Sequence, residues 1–526
     1  MSFALALAVA AVSGFIALSY EILWYRVIAF ASWGLPGAFG LLLAAYLLGL
    51  ALGSRAAGAL CKDDAKEGDA RQLRLVAGVA FVANVIAWLV VPVFGWTAKR
   101  WDWPPALAFV ALAAALLGAI LPLVSHFGIR ADDRAGARLS YVYLANILGS
   151  GAGSLLTGFV FLDVWSIQTL GAVIALVGMA LVGALLALAD MPRSSRLGAL
   201  AAVVVVGLLF VRATPGAYDR IWERLLYKGK FDETTRFAEI IETKSGVITV
   251  TKDGTVYGGG AYDGRFNTSI VHDRNGILRA YAIGAMHPAP RKILMIGLAS
   301  GSWANVIAAL SGLEKLTIVE NNPGYLDLIA RHAEVAPILR DPKVEIVIDD
   351  GRRWLNRHPG SDPSARFDVI VMNTTWHWRA HITSLLSTEF MELARAHLEP
   401  GGLLYFNTTS SDDVQKTAAT TFPHALRVYN FMAVSDAPLT FDKERWRRTL
   451  ATFAIGGVPA IDRSTEDGQK LFDELVAYAD TLAAPPVPHG LESRDSVLAR
   501  TQAAVIVTDD NMAPEWQKAL RFQDPP

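Results

Sequence analysis

The sequence predicts an α-helical transmembrane bundle joined to an α/β domain with a doubly wound sheet, with a small β-region between them. Three features indicate this fold class. Long apolar runs dominate the chain up to about residue 212, and 53% of its 526 residues are hydrophobic, which is high for a soluble protein. After residue 292, short apolar runs alternate with helical patterns. The segment 293–320 reads as strand, small-residue turn, helix, strand and acid.

Residues 1–212 contain the candidate membrane-spanning helices. A helix rises about 1.5 Å per residue, so about 20 residues cross a hydrocarbon core. Seven apolar runs meet or approach that length, at roughly 3–29, 36–58, 74–97, 104–128, 139–162, 166–189 and 197–212. The last run is the shortest. We therefore predict an integral, multi-pass protein of the inner or cell membrane, with the lipid bilayer as a partner.

The basic residues indicate the orientation of these helices. They concentrate in the second, fourth and sixth loops, which the positive-inside rule places in the cytoplasm together with the N-terminus. Seven crossings would then put the C-terminal half outside, whereas an even number would put it inside. Because the cofactor predicted below is a cytosolic metabolite, we expect a cytoplasmic C-terminal half and one span that is miscounted or does not cross.

A few polar and small residues interrupt the predicted membrane helices. Glu21 and Arg26 lie near the end of the first, where a charge is costly and normally faces the bundle interior. They are expected to pair, to anchor the helix at the interface or to serve a function. Gly149, Gly151 and Gly153 in the fifth helix are typical of close helix packing.

The chain from residue 213 onward divides into three predicted regions. Residues 213–292 hold a linker and a β-hairpin with Asp253-Gly254 at its turn. Residues 293–455 form the α/β domain, and residues 456–526 form a C-terminal extension. Strands of the α/β domain are expected at 293–296, 316–319, 344–348, 368–372 and 402–407. Helices between successive strands predict a parallel sheet with helices on both faces and a ligand at the carboxyl ends of the strands.

Four segments follow these strands and should meet at one edge of the sheet: Gly297–Ser302, Glu320–Asn322, Asp349–Gly351 and Asn373–His377. Small residues in the first allow the backbone to approach a ligand. An acid after the second strand can accept from ribose hydroxyls, and an acid after the third can accept from an adenine amine. Together they predict a nucleoside site.

The segment Gly297–Ser302 lacks the glycine motifs of phosphate-binding and dinucleotide-binding loops, and this indicates the kind of nucleoside. The sequence has no phosphate-binding loop with its Gly-Lys-Ser/Thr ending. NAD is an alternative, but Trp303-Ala304 stands where a dinucleotide fingerprint needs a later glycine. A single nucleoside such as S-adenosylmethionine therefore fits better than NAD.

These segments resemble the membrane-fused branch of the spermidine synthase family. ILMIGLASGSW resembles the family's first glycine motif, VENNP its ribose-binding segment and DPKVEIVIDDGRRWL its adenine-binding segment. LLSTEFMELARAHLEPGGLLYFN and VTDDNMAPEW are similar to its later strand–helix pair and its terminal acidic motif. In the first half, SGFIALSYEILWYR, LLLAAYLLGLALGS and YLANILGSGAGSLLTGF resemble the membrane helices of that branch. The segments keep the family's order.

The resemblance implies a Rossmann-like transferase that binds S-adenosylmethionine or its decarboxylated form. By position, Glu320 would bind the ribose and Asp350 the adenine. The candidate cofactor-binding residues are Gly297, Ala299, Ser300, Gly301, Glu320, Asp349, Asp350 and Gly351. The resemblance also implies a small-molecule amine or a membrane-proximal acceptor as substrate, and a homodimer of the kind that soluble relatives form.

Two positions depart from the family's pattern. Soluble members carry an acid in the glycine loop that holds the cofactor's amino group, where this chain has Ser300. They also carry an Asp-x-x-Asp segment whose second Asp deprotonates the attacking amine, where this chain reads Asn373-Thr374-Thr375-Trp376. Polyamine nitrogens are mostly charged at neutral pH. Loss of both acids should therefore impair transfer to putrescine and favour a less cationic acceptor.

The same segment offers a replacement for the lost base. His377 titrates near working pH and is the candidate general base, with Asn373 and Trp376 as further candidate catalytic residues. Other residues are candidates for substrate binding. Trp378 and Arg379 lie beside this segment, and the resemblance places Asp263 and His272 at acceptor-facing positions of the family. Asp509 and Asp510 belong to the terminal acidic motif.

The leading interpretation is a membrane-bound transferase that moves an aminopropyl or related group to an acceptor other than plain putrescine. One alternative is a methyltransferase that acts on a membrane-proximal substrate. Another is a non-catalytic protein that senses a nucleoside and gates the helical bundle. The formal net charge of −1 gives no indication of nucleic-acid binding. The single cysteine, Cys61, excludes an internal disulfide and a multi-cysteine metal site, and no metal is expected.

Overall fold

The computed structural model describes residues 1–61, 69–483 and 487–518. Within these ranges the chain forms two compact units. The first unit comprises Met1–Trp33, Ala38–Phe237 and Glu242–Val247. The second comprises Gly34–Gly37, Ala238–Ile241 and the chain from Ile248 onward.

The first unit is helical. Its helices are α1 (Phe3–Ala31), α2 (Pro36–Gly58), α3 (Asp69–Trp101), α4 (Ala106–Gly118), α5 (Ile120–Gly128), α6 (Ala135–Leu156), α7 (Leu162–Val164), α8 (Ile167–Leu188), α9 (Arg193–Ala217) and α10 (Ile221–Tyr227). Among the described residues, seven helical segments are long and apolar enough to cross a membrane: α1, α2, α3 from Arg71, α4 with α5, α6 to α7, α8 and α9. These segments correspond to the seven that the sequence predicts.

The seventh segment is longer than predicted. Its predicted range of roughly 197–212 becomes the 25-residue helix α9, which continues to Ala217. The polar side chain of Thr214 lies within this extension, and its hydroxyl donates to the carbonyl of Phe210 at 2.6 Å. The polar side chain of Thr214 is thus satisfied by the backbone of the helix itself.

Helix α1 is the central helix of this unit. The hydroxyl of Tyr20 donates to Oδ1 of Asn84 at 3.2 Å, and Nδ2 of Asn84 donates to the carbonyl of Ala175 at 2.8 Å. The indole N–H of Trp24 donates to the carbonyl of Ala87 at 3.3 Å. These hydrogen bonds connect α1 with α3 and α8 and satisfy polar groups that are buried in an apolar interior.

The charge of Arg26 is met by backbone carbonyls. Its guanidinium donates to the carbonyl of Gly246 at 3.1 Å and to the carbonyl of Thr243. The sequence offered Glu21 as a partner for Arg26, but the structure places the arginine against the turn that connects the first two strands. Arg26 therefore anchors the end of α1 to the part of the hairpin that belongs to the first unit.

Two of the three glycines in α6 pack directly against α1. A Cβ atom at Gly149 would lie 1.9 Å from the carbonyl oxygen of Ala11, and one at Gly153 would lie 2.4 Å from that of Phe15. At Gly151, no atom lies within 4 Å of the Cβ position. The prediction of close helix packing is therefore confirmed for Gly149 and Gly153, whereas Gly151 faces open space.

The first strands form a four-stranded sheet in the order β1-β2-β3-β4. They are β1 (Glu239–Thr243), β2 (Gly246–Val250), β3 (Thr255–Gly258) and β4 (Ala261–Arg265). Strands β2 and β3 are antiparallel, and Gly254, with φ of 79°, lies in the turn between them. The predicted hairpin with Asp253-Gly254 at its turn is thus confirmed, since glycine adopts this left-handed backbone without strain.

A larger sheet of eight strands is the centre of the second unit. Its strands are β5 (Lys292–Ile296), β6 (Lys315–Glu320), β7 (Val344–Ile348), β8 (Phe367–Met372), β9 (Leu398–Asn407), β10 (His424–Val428), β11 (Phe431–Ser435) and β14 (Leu491–Ser493). Their order in the sheet is β14-β10-β11-β9-β8-β5-β6-β7. A separate ribbon consists of β12 (Ala454–Ile455) and β13 (Val458–Pro459).

The five predicted strands of the α/β domain are confirmed as β5 to β9, and they are parallel to one another. The sheet as a whole is mixed, so the prediction of a parallel sheet is wrong for its other part. Strands β10, β11 and β14 pair in antiparallel fashion and extend the sheet beyond β9. Residues 424–435 form a nearly continuous buried run, whose periodicity does not distinguish a strand from a buried helix.

Helices cover both faces of the large sheet. Alternate residues of its strands belong to two different hydrophobic clusters: Ile293 and Met295 belong to one, and Leu294 and Ile296 to the other. The helices of the second unit are α11 (Leu278–Tyr281), α12 (Ile283–Met286), α13 (Ser302–Ala308), α14 (Gly324–Ala330), α15 (Gly351–Arg357), α16 (Thr388–Arg395), α17 (Asp412–Thr421), α18 (Lys443–Thr452), α19 (Glu466–Ala477), α20 (Arg494–Arg500) and α21 (Ala513–Lys518). Alternate strand residues belong to different clusters because side chains alternate between the two faces of a pleated sheet.

We expect Gly149→Val to destabilise the first unit and Gly151→Val to be tolerated. Both changes place the same β-branched side chain in α6, so the propensity cost is shared. Only at Gly149 does the new side chain meet the backbone of α1, which should lower the free energy of unfolding by about 2 kcal/mol or more. Thermal unfolding of both variants in the same detergent measures the difference. Equal melting temperatures would contradict the packing of α6 on α1.

Candidate functional site

The loop between β5 and α13 has a backbone suited to close approach by a ligand. Gly297, Ala299 and Gly301 have φ angles of 90°, 48° and 74°, in the left-handed region. Ala299 adopts this conformation despite its Cβ atom, and such strain tends to occur at functional sites. A Cβ atom at Gly301 would also lie 2.9 Å from Cδ1 of Ile329. In the predicted glycine loop, residues 297–301, glycine is therefore favoured at Gly297 for its backbone conformation and at Gly301 for both conformational and steric reasons.

The glycine loop forms part of the wall of a cavity of about 240 Å³ in the second unit, here called the central cavity. The other lining residues come from β4, from α11 and the segment before it, from β5 and α13, and from the segments at the ends of β8, β9 and β10. The lining residues are Tyr262, Asp263, Gly264, Asn275, Arg279, Met295, Gly297, Leu298, Ala299, Ser300, Trp303, Asn373, Thr374, Thr375, Trp376, Asn407, Thr409, Ser410 and Asn430. The central cavity thus lies at the carboxyl ends of parallel strands, where doubly wound sheets bind ligands.

Glu320 lies at the end of β6 and is only 4% exposed. Its carboxylate accepts from the backbone N–H groups of Leu298 at 2.7 Å and Asn322 at 2.8 Å. Its carbonyl accepts from the N–H of Asp349 at 3.0 Å. Burial raises the pKa of Glu320 from 4.5 to about 7, although the two backbone hydrogen bonds favour the ionised form. Glu320 therefore joins the glycine loop to the ends of β6 and β7.

The three residues after β7 have structural partners outside the central cavity. Asp350 is the N-cap of α15, and its Oδ1 accepts from the N–H of Arg353 at 2.8 Å. The side chain of Arg353 also pairs with the carboxylate of Asp349. A Cβ atom at Gly351 would lie 2.5 Å from Cγ2 of Ile296, so glycine allows α15 to pack on β5. The cofactor-binding roles of Asp349, Asp350 and Gly351 stay predictions.

Ser300 presents a neutral hydroxyl to the central cavity. This hydroxyl donates to the carbonyl of Arg265 at 3.1 Å and lies 3.1 Å from Oγ of Ser302. The hydroxyl of Ser302 donates to the same carbonyl at 2.7 Å. The glycine loop is thereby attached to β4 by uncharged groups at the position where the resemblance leads one to expect an acid.

Three asparagines are joined by hydrogen bonds along the wall of the central cavity. Nδ2 of Asn407 donates to Oδ1 of Asn373 at 3.1 Å, and Nδ2 of Asn430 donates to Oδ1 of Asn407 at 3.1 Å. Oδ1 of Asn407 also accepts from the N–H of Thr409 at 2.8 Å. At the far end, Oδ1 of Asn430 accepts from the guanidinium of Arg279. This wall therefore consists of neutral amides and ends in a cation.

His377 reaches the central cavity through Thr409. Nδ1 of His377 lies 2.7 Å from Oγ1 of Thr409, and the same oxygen accepts from the N–H of His377 at 3.0 Å. Thr409 and Trp376 line the cavity, whereas His377 lies behind them. Trp376 stacks on Trp378 with ring centroids 6.2 Å apart, and Trp378 is buried. Of the two tryptophans, Trp376 is the one placed to contact a ligand.

Asp263, Tyr325 and Arg379 form a polar cluster beside the central cavity. The hydroxyl of Tyr325 donates to the carboxylate of Asp263. Burial raises the pKa of Asp263, while the hydrogen bond from Tyr325 and the positive charge of Arg379 act in the opposite direction. Burial likewise lowers the pKa of Arg379, and Nη1 of that residue donates to Oγ1 of Thr375 at 3.0 Å. Asp263 and Thr375 line the cavity, and Arg379 supports both.

Three other predicted substrate-binding residues do not line the central cavity. His272 and Asp510 are exposed. The carboxylate of Asp509 accepts from the guanidinium of Arg352 at 2.8 Å and from the hydroxyl of Ser387 at 2.6 Å. The hydrogen bond from Arg352 lowers the pKa of Asp509. Asp509 thus connects the terminal acidic motif to α15 and to the N-cap of α16.

The sequence analysis missed Arg279, Asn407 and Asn430, although all three line the central cavity. Arg279 lies in the four-residue helix α11, which is too short to show a periodic pattern. Asn430 lies in the tight turn between β10 and β11, which the sequence did not reveal. Asn407 could have been found, because it ends the fifth predicted strand and so lies at the same edge as Asn373.

The fold and the position of the central cavity define the class of the second unit: a doubly wound α/β domain with a ligand cavity at the carboxyl edge of its sheet. Residues 281–433 match the family model of the spermine/spermidine synthase domain. Residues 281–433 are therefore similar to a spermine/spermidine synthase domain, and they follow an N-terminal region of apolar helices. The family resemblance found in the sequence motifs is confirmed.

The chain is similar to proteins named polyamine aminopropyltransferase, which are transferases. It is 28% identical to polyamine aminopropyltransferase 2 of Streptomyces coelicolor over 483 residues, which are 85% of this chain and 79% of that protein. It is 31% identical to the polyamine aminopropyltransferase of Mycobacterium tuberculosis over 122 residues, 23% of each chain. With that of Corynebacterium efficiens it shares 26% identity over 331 residues, 59% of each chain.

Solved structures of spermidine synthases are also similar to part of the chain. Spermidine synthase from Thermotoga maritima has 17% sequence identity and a TM-score of 0.33, with 41% of this chain and 78% of that chain covered.

We expect binding of 5′-methylthioadenosine to tighten as the pH rises through about 7. Burial places the pKa of Glu320 near that value, and only the ionised carboxylate accepts from ribose hydroxyls without giving up its two backbone hydrogen bonds. Below that pH, each unit should weaken binding by up to about ten-fold. Calorimetric titration at a series of pH values measures the effect.

The control is Glu320→Gln, which should bind more weakly and lose the pH dependence. In the ligand-free protein, the contribution of Glu320 to folding stability changes with pH in the opposite direction. The raised pKa of Glu320 contributes stability that is complete below about 4.5 and is lost as the pH rises through about 7. A nucleoside affinity that is flat from acid to alkaline pH would contradict the role assigned to Glu320.

Proposed function

We propose that the second unit transfers an aminopropyl group from decarboxylated S-adenosylmethionine to an amine bound in the central cavity. The observation that carries this proposal is the match of residues 281–433 to the spermine/spermidine synthase domain, combined with the position of the glycine loop in the cavity wall. The names of the similar proteins, all polyamine aminopropyltransferases, support the same reaction.

The proposed reaction is a displacement at carbon. The acceptor nitrogen forms a bond to the aminopropyl carbon next to the sulfonium sulfur. The carbon–sulfur bond breaks, its electron pair stays on sulfur, and 5′-methylthioadenosine leaves as a neutral thioether. The nitrogen loses one proton. The protein must therefore hold the nucleoside, place the amine in line with the breaking bond and accept a proton.

The residues around the glycine loop fit the nucleoside part of the donor. At Gly297 no atom lies within 4 Å of the Cβ position, which leaves room for a ligand against the backbone. Glu320 uses its carboxylate for two backbone hydrogen bonds and retains lone pairs for the ribose hydroxyls. Asp350 caps α15 through Oδ1, so its Oδ2 can accept from the adenine amine. In the proposed function these three residues bind the donor.

The proton of the acceptor nitrogen leaves through Thr409 to His377. Thr409 lines the central cavity, and its hydroxyl lies 2.7 Å from Nδ1 of His377. A hydroxyl in this position can accept a proton from the amine while passing its own proton to the imidazole. The amide oxygen of Asn373, which accepts a hydrogen bond from Asn407, also accepts one from the amine and so orients it without a charge. Trp376 offers its ring face to the carbon chain of the acceptor.

The charge of the wall favours an acceptor that is less cationic than putrescine. Ser300 stands where soluble family members carry an acid, and Asn373 and Trp376 stand at the two acids of their Asp-x-x-Asp segment, so the cavity lacks charges that would attract a polycation. Asp263 retains a carboxylate, but its charge is opposed by the nearby Arg379. We therefore propose a monoamine, or an amine that also bears an anionic group, as the acceptor class.

We also propose that the chain is a multi-pass membrane protein with its second unit in the cytoplasm. The seven apolar helices support the membrane location. The cytoplasmic side follows from the donor, which is a cytosolic metabolite. Because basic residues place the loop after α2 on the same side, one of the seven helices does not cross the membrane in this arrangement.

Activity tests the proposed reaction, with full-length protein in detergent supplied with decarboxylated S-adenosylmethionine and a panel of amines. We expect 5′-methylthioadenosine and an aminopropylated amine as products by mass spectrometry. Thr409→Val should lower kcat by about a hundred-fold because it removes the hydroxyl next to His377, whereas Thr409→Ser keeps the hydroxyl and should retain most activity. His377→Gln should match Thr409→Val.

Other products would contradict this reaction. Formation of S-adenosylhomocysteine from S-adenosylmethionine would identify a methyltransferase instead. Tight binding of the donor without turnover of any amine would indicate a non-catalytic protein that senses a nucleoside. Glu320→Ala should then abolish that binding.

Cysteine labelling tests the proposed topology. The chain has one cysteine, Cys61, directly after α2, and Ser361 is an exposed position of the second unit. We expect a membrane-impermeant maleimide to label Cys61 only after the membrane is permeabilised. The same result is expected for Ser361→Cys in a Cys61→Ser background. Arg100→Cys, at the exposed end of α3, should be labelled in intact cells and serves as the control. Labelling of Ser361→Cys in intact cells would contradict a cytoplasmic second unit.

A further inference from the structure

Arg279 is a buried cation in the wall of the central cavity. The residue is only 8% exposed. The guanidinium packs on the rings of Phe431 at 4.7 Å and Trp303 at 5.5 Å, measured to the ring centroids. Burial of an arginine is costly unless its charge is compensated by hydrogen bonds or by an anion. The partners of Arg279 therefore indicate what the cavity is built to bind.

The hydrogen bonds of Arg279 go to neutral groups. Nε donates to the carbonyl of Gly276 at 2.8 Å, Nη2 to the carbonyl of Asn275 at 3.0 Å, and Nη1 to Oδ1 of Asn430. A guanidinium has five N–H groups, so one remains on each terminal nitrogen. Two parallel N–H groups of this kind match the two oxygens of a carboxylate.

Within the part of the chain that the structure describes, Arg279 forms no salt bridge with a carboxylate. The nearest acid in sequence, Asp273, uses its carboxylate for the backbone N–H groups of Ile277 at 2.8 Å and Leu278 at 3.2 Å. It thereby fixes the start of α11 and is itself exposed. The positive charge of Arg279 is thus not neutralised at close range by the described protein.

Among the described residues that line the central cavity, only Asp263 is acidic and only Arg279 is basic. Asp263 is bonded to Tyr325 and lies near Arg379, which oppose its charge. Ser300 and the three joined asparagines contribute none. The charge that remains for a ligand is therefore the positive charge of Arg279, and no lining acid besides Asp263 repels an anion.

Arg279 also lines a second groove. This groove, of about 530 Å³, is lined by Arg279 and Gly276 together with Tyr429, Tyr478 and His489, among others. Arg279 is therefore common to the walls of the central cavity and of this groove.

We propose that the ligand transformed in the central cavity carries a carboxylate, and that Arg279 binds it. This inference rests on the nucleoside site and the displacement of the proposed function and names the class of its substrate; an intact donor would replace the aminopropyl group by a 3-amino-3-carboxypropyl group. One source of the carboxylate is the donor, as intact S-adenosylmethionine. The other is the acceptor, as an amine that bears a carboxylate.

Both sources keep the displacement chemistry balanced. With intact S-adenosylmethionine, the acceptor nitrogen bonds to the carbon next to sulfur in the 3-amino-3-carboxypropyl group. The carbon–sulfur bond breaks, 5′-methylthioadenosine takes the electron pair, and the nitrogen releases one proton to Thr409 and His377. With a carboxylate-bearing acceptor, the decarboxylated donor reacts in the same way and the carboxylate stays on the product.

The binding experiment compares three ligands that share the nucleoside: 5′-methylthioadenosine, decarboxylated S-adenosylmethionine and S-adenosylmethionine. It uses full-length wild type, Arg279→Met and Arg279→Lys. If the donor carries the carboxylate, wild type should prefer S-adenosylmethionine to its decarboxylated form. Arg279→Met should weaken that ligand by about ten-fold to about a hundred-fold while 5′-methylthioadenosine binds as before. Arg279→Lys should recover part of the preference.

The turnover experiment addresses the acceptor with matched pairs, ornithine against putrescine and lysine against cadaverine, which differ by one carboxylate. If the acceptor carries it, wild type should give a higher kcat/KM for the carboxylate-bearing member of each pair. That preference should shrink about ten-fold or more in Arg279→Met and be partly restored in Arg279→Lys. Unchanged binding of 5′-methylthioadenosine shows that the variants are folded.

The outcomes separate this inference from the proposed function. If wild type shows neither preference while it binds 5′-methylthioadenosine and turns over plain amines, the carboxylate inference is overturned and the aminopropyl transfer stands. Preferences that survive in Arg279→Met also overturn it. If wild type binds none of the three nucleosides, the proposed function itself fails. If Arg279→Met does not fold, the inference is tested by the preference of wild type for the carboxylate-bearing ligand or amine. Arg279→Lys should then show a smaller preference than wild type.

Discussion

The buried carboxylate of Glu320 is the constraint on which the central cavity depends. It holds the N–H of Leu298 in the glycine loop and the N–H of Asn322 after β6, while its carbonyl holds Asp349 after β7. One residue thus fixes the ends of three adjacent parallel strands. Because burial opposes the charge and brings its pKa to about 7, the carboxylate is close to the balance between its two forms near neutral pH. A ligand that donates hydrogen bonds to it would stabilise the ionised form.

The fold and the chemistry of the cavity depend on different residues. The mixed sheet, its two hydrophobic faces and the glycine loop position a nucleoside site and tolerate changes in the residues that face the acceptor. Those residues are uncharged here at the positions of Ser300 and Asn373, and the chain of amides leads to Arg279. Replacing acids by amides and adding one cation in a cavity wall changes the preferred substrate without changing the fold.

The sequence predicted the parts that follow from local patterns. The five parallel strands, the hairpin at Asp253-Gly254 and the seven apolar helices each have a periodic or turn signal within a short window. The antiparallel extension of the sheet did not, because β10 and β11 are buried runs without alternation. Arg279 could not be found either, since its position in the cavity arises from contacts with residues more than a hundred positions away, such as Asn430. Asp509 was expected at the substrate, but its charge is used by Arg352, a pairing that only tertiary structure reveals.

A structure of the full-length protein with bound 5′-methylthioadenosine at neutral pH tests the central claim most directly. The account predicts the ribose hydroxyls within hydrogen-bond distance of the Glu320 carboxylate, with the methylthio group directed into the central cavity toward Asn373 and Thr409. Arg279 should then face the space beyond the sulfur, where the transferred group and the acceptor meet. A nucleoside bound elsewhere, or bound in the cavity with its ribose away from Glu320, would contradict the account.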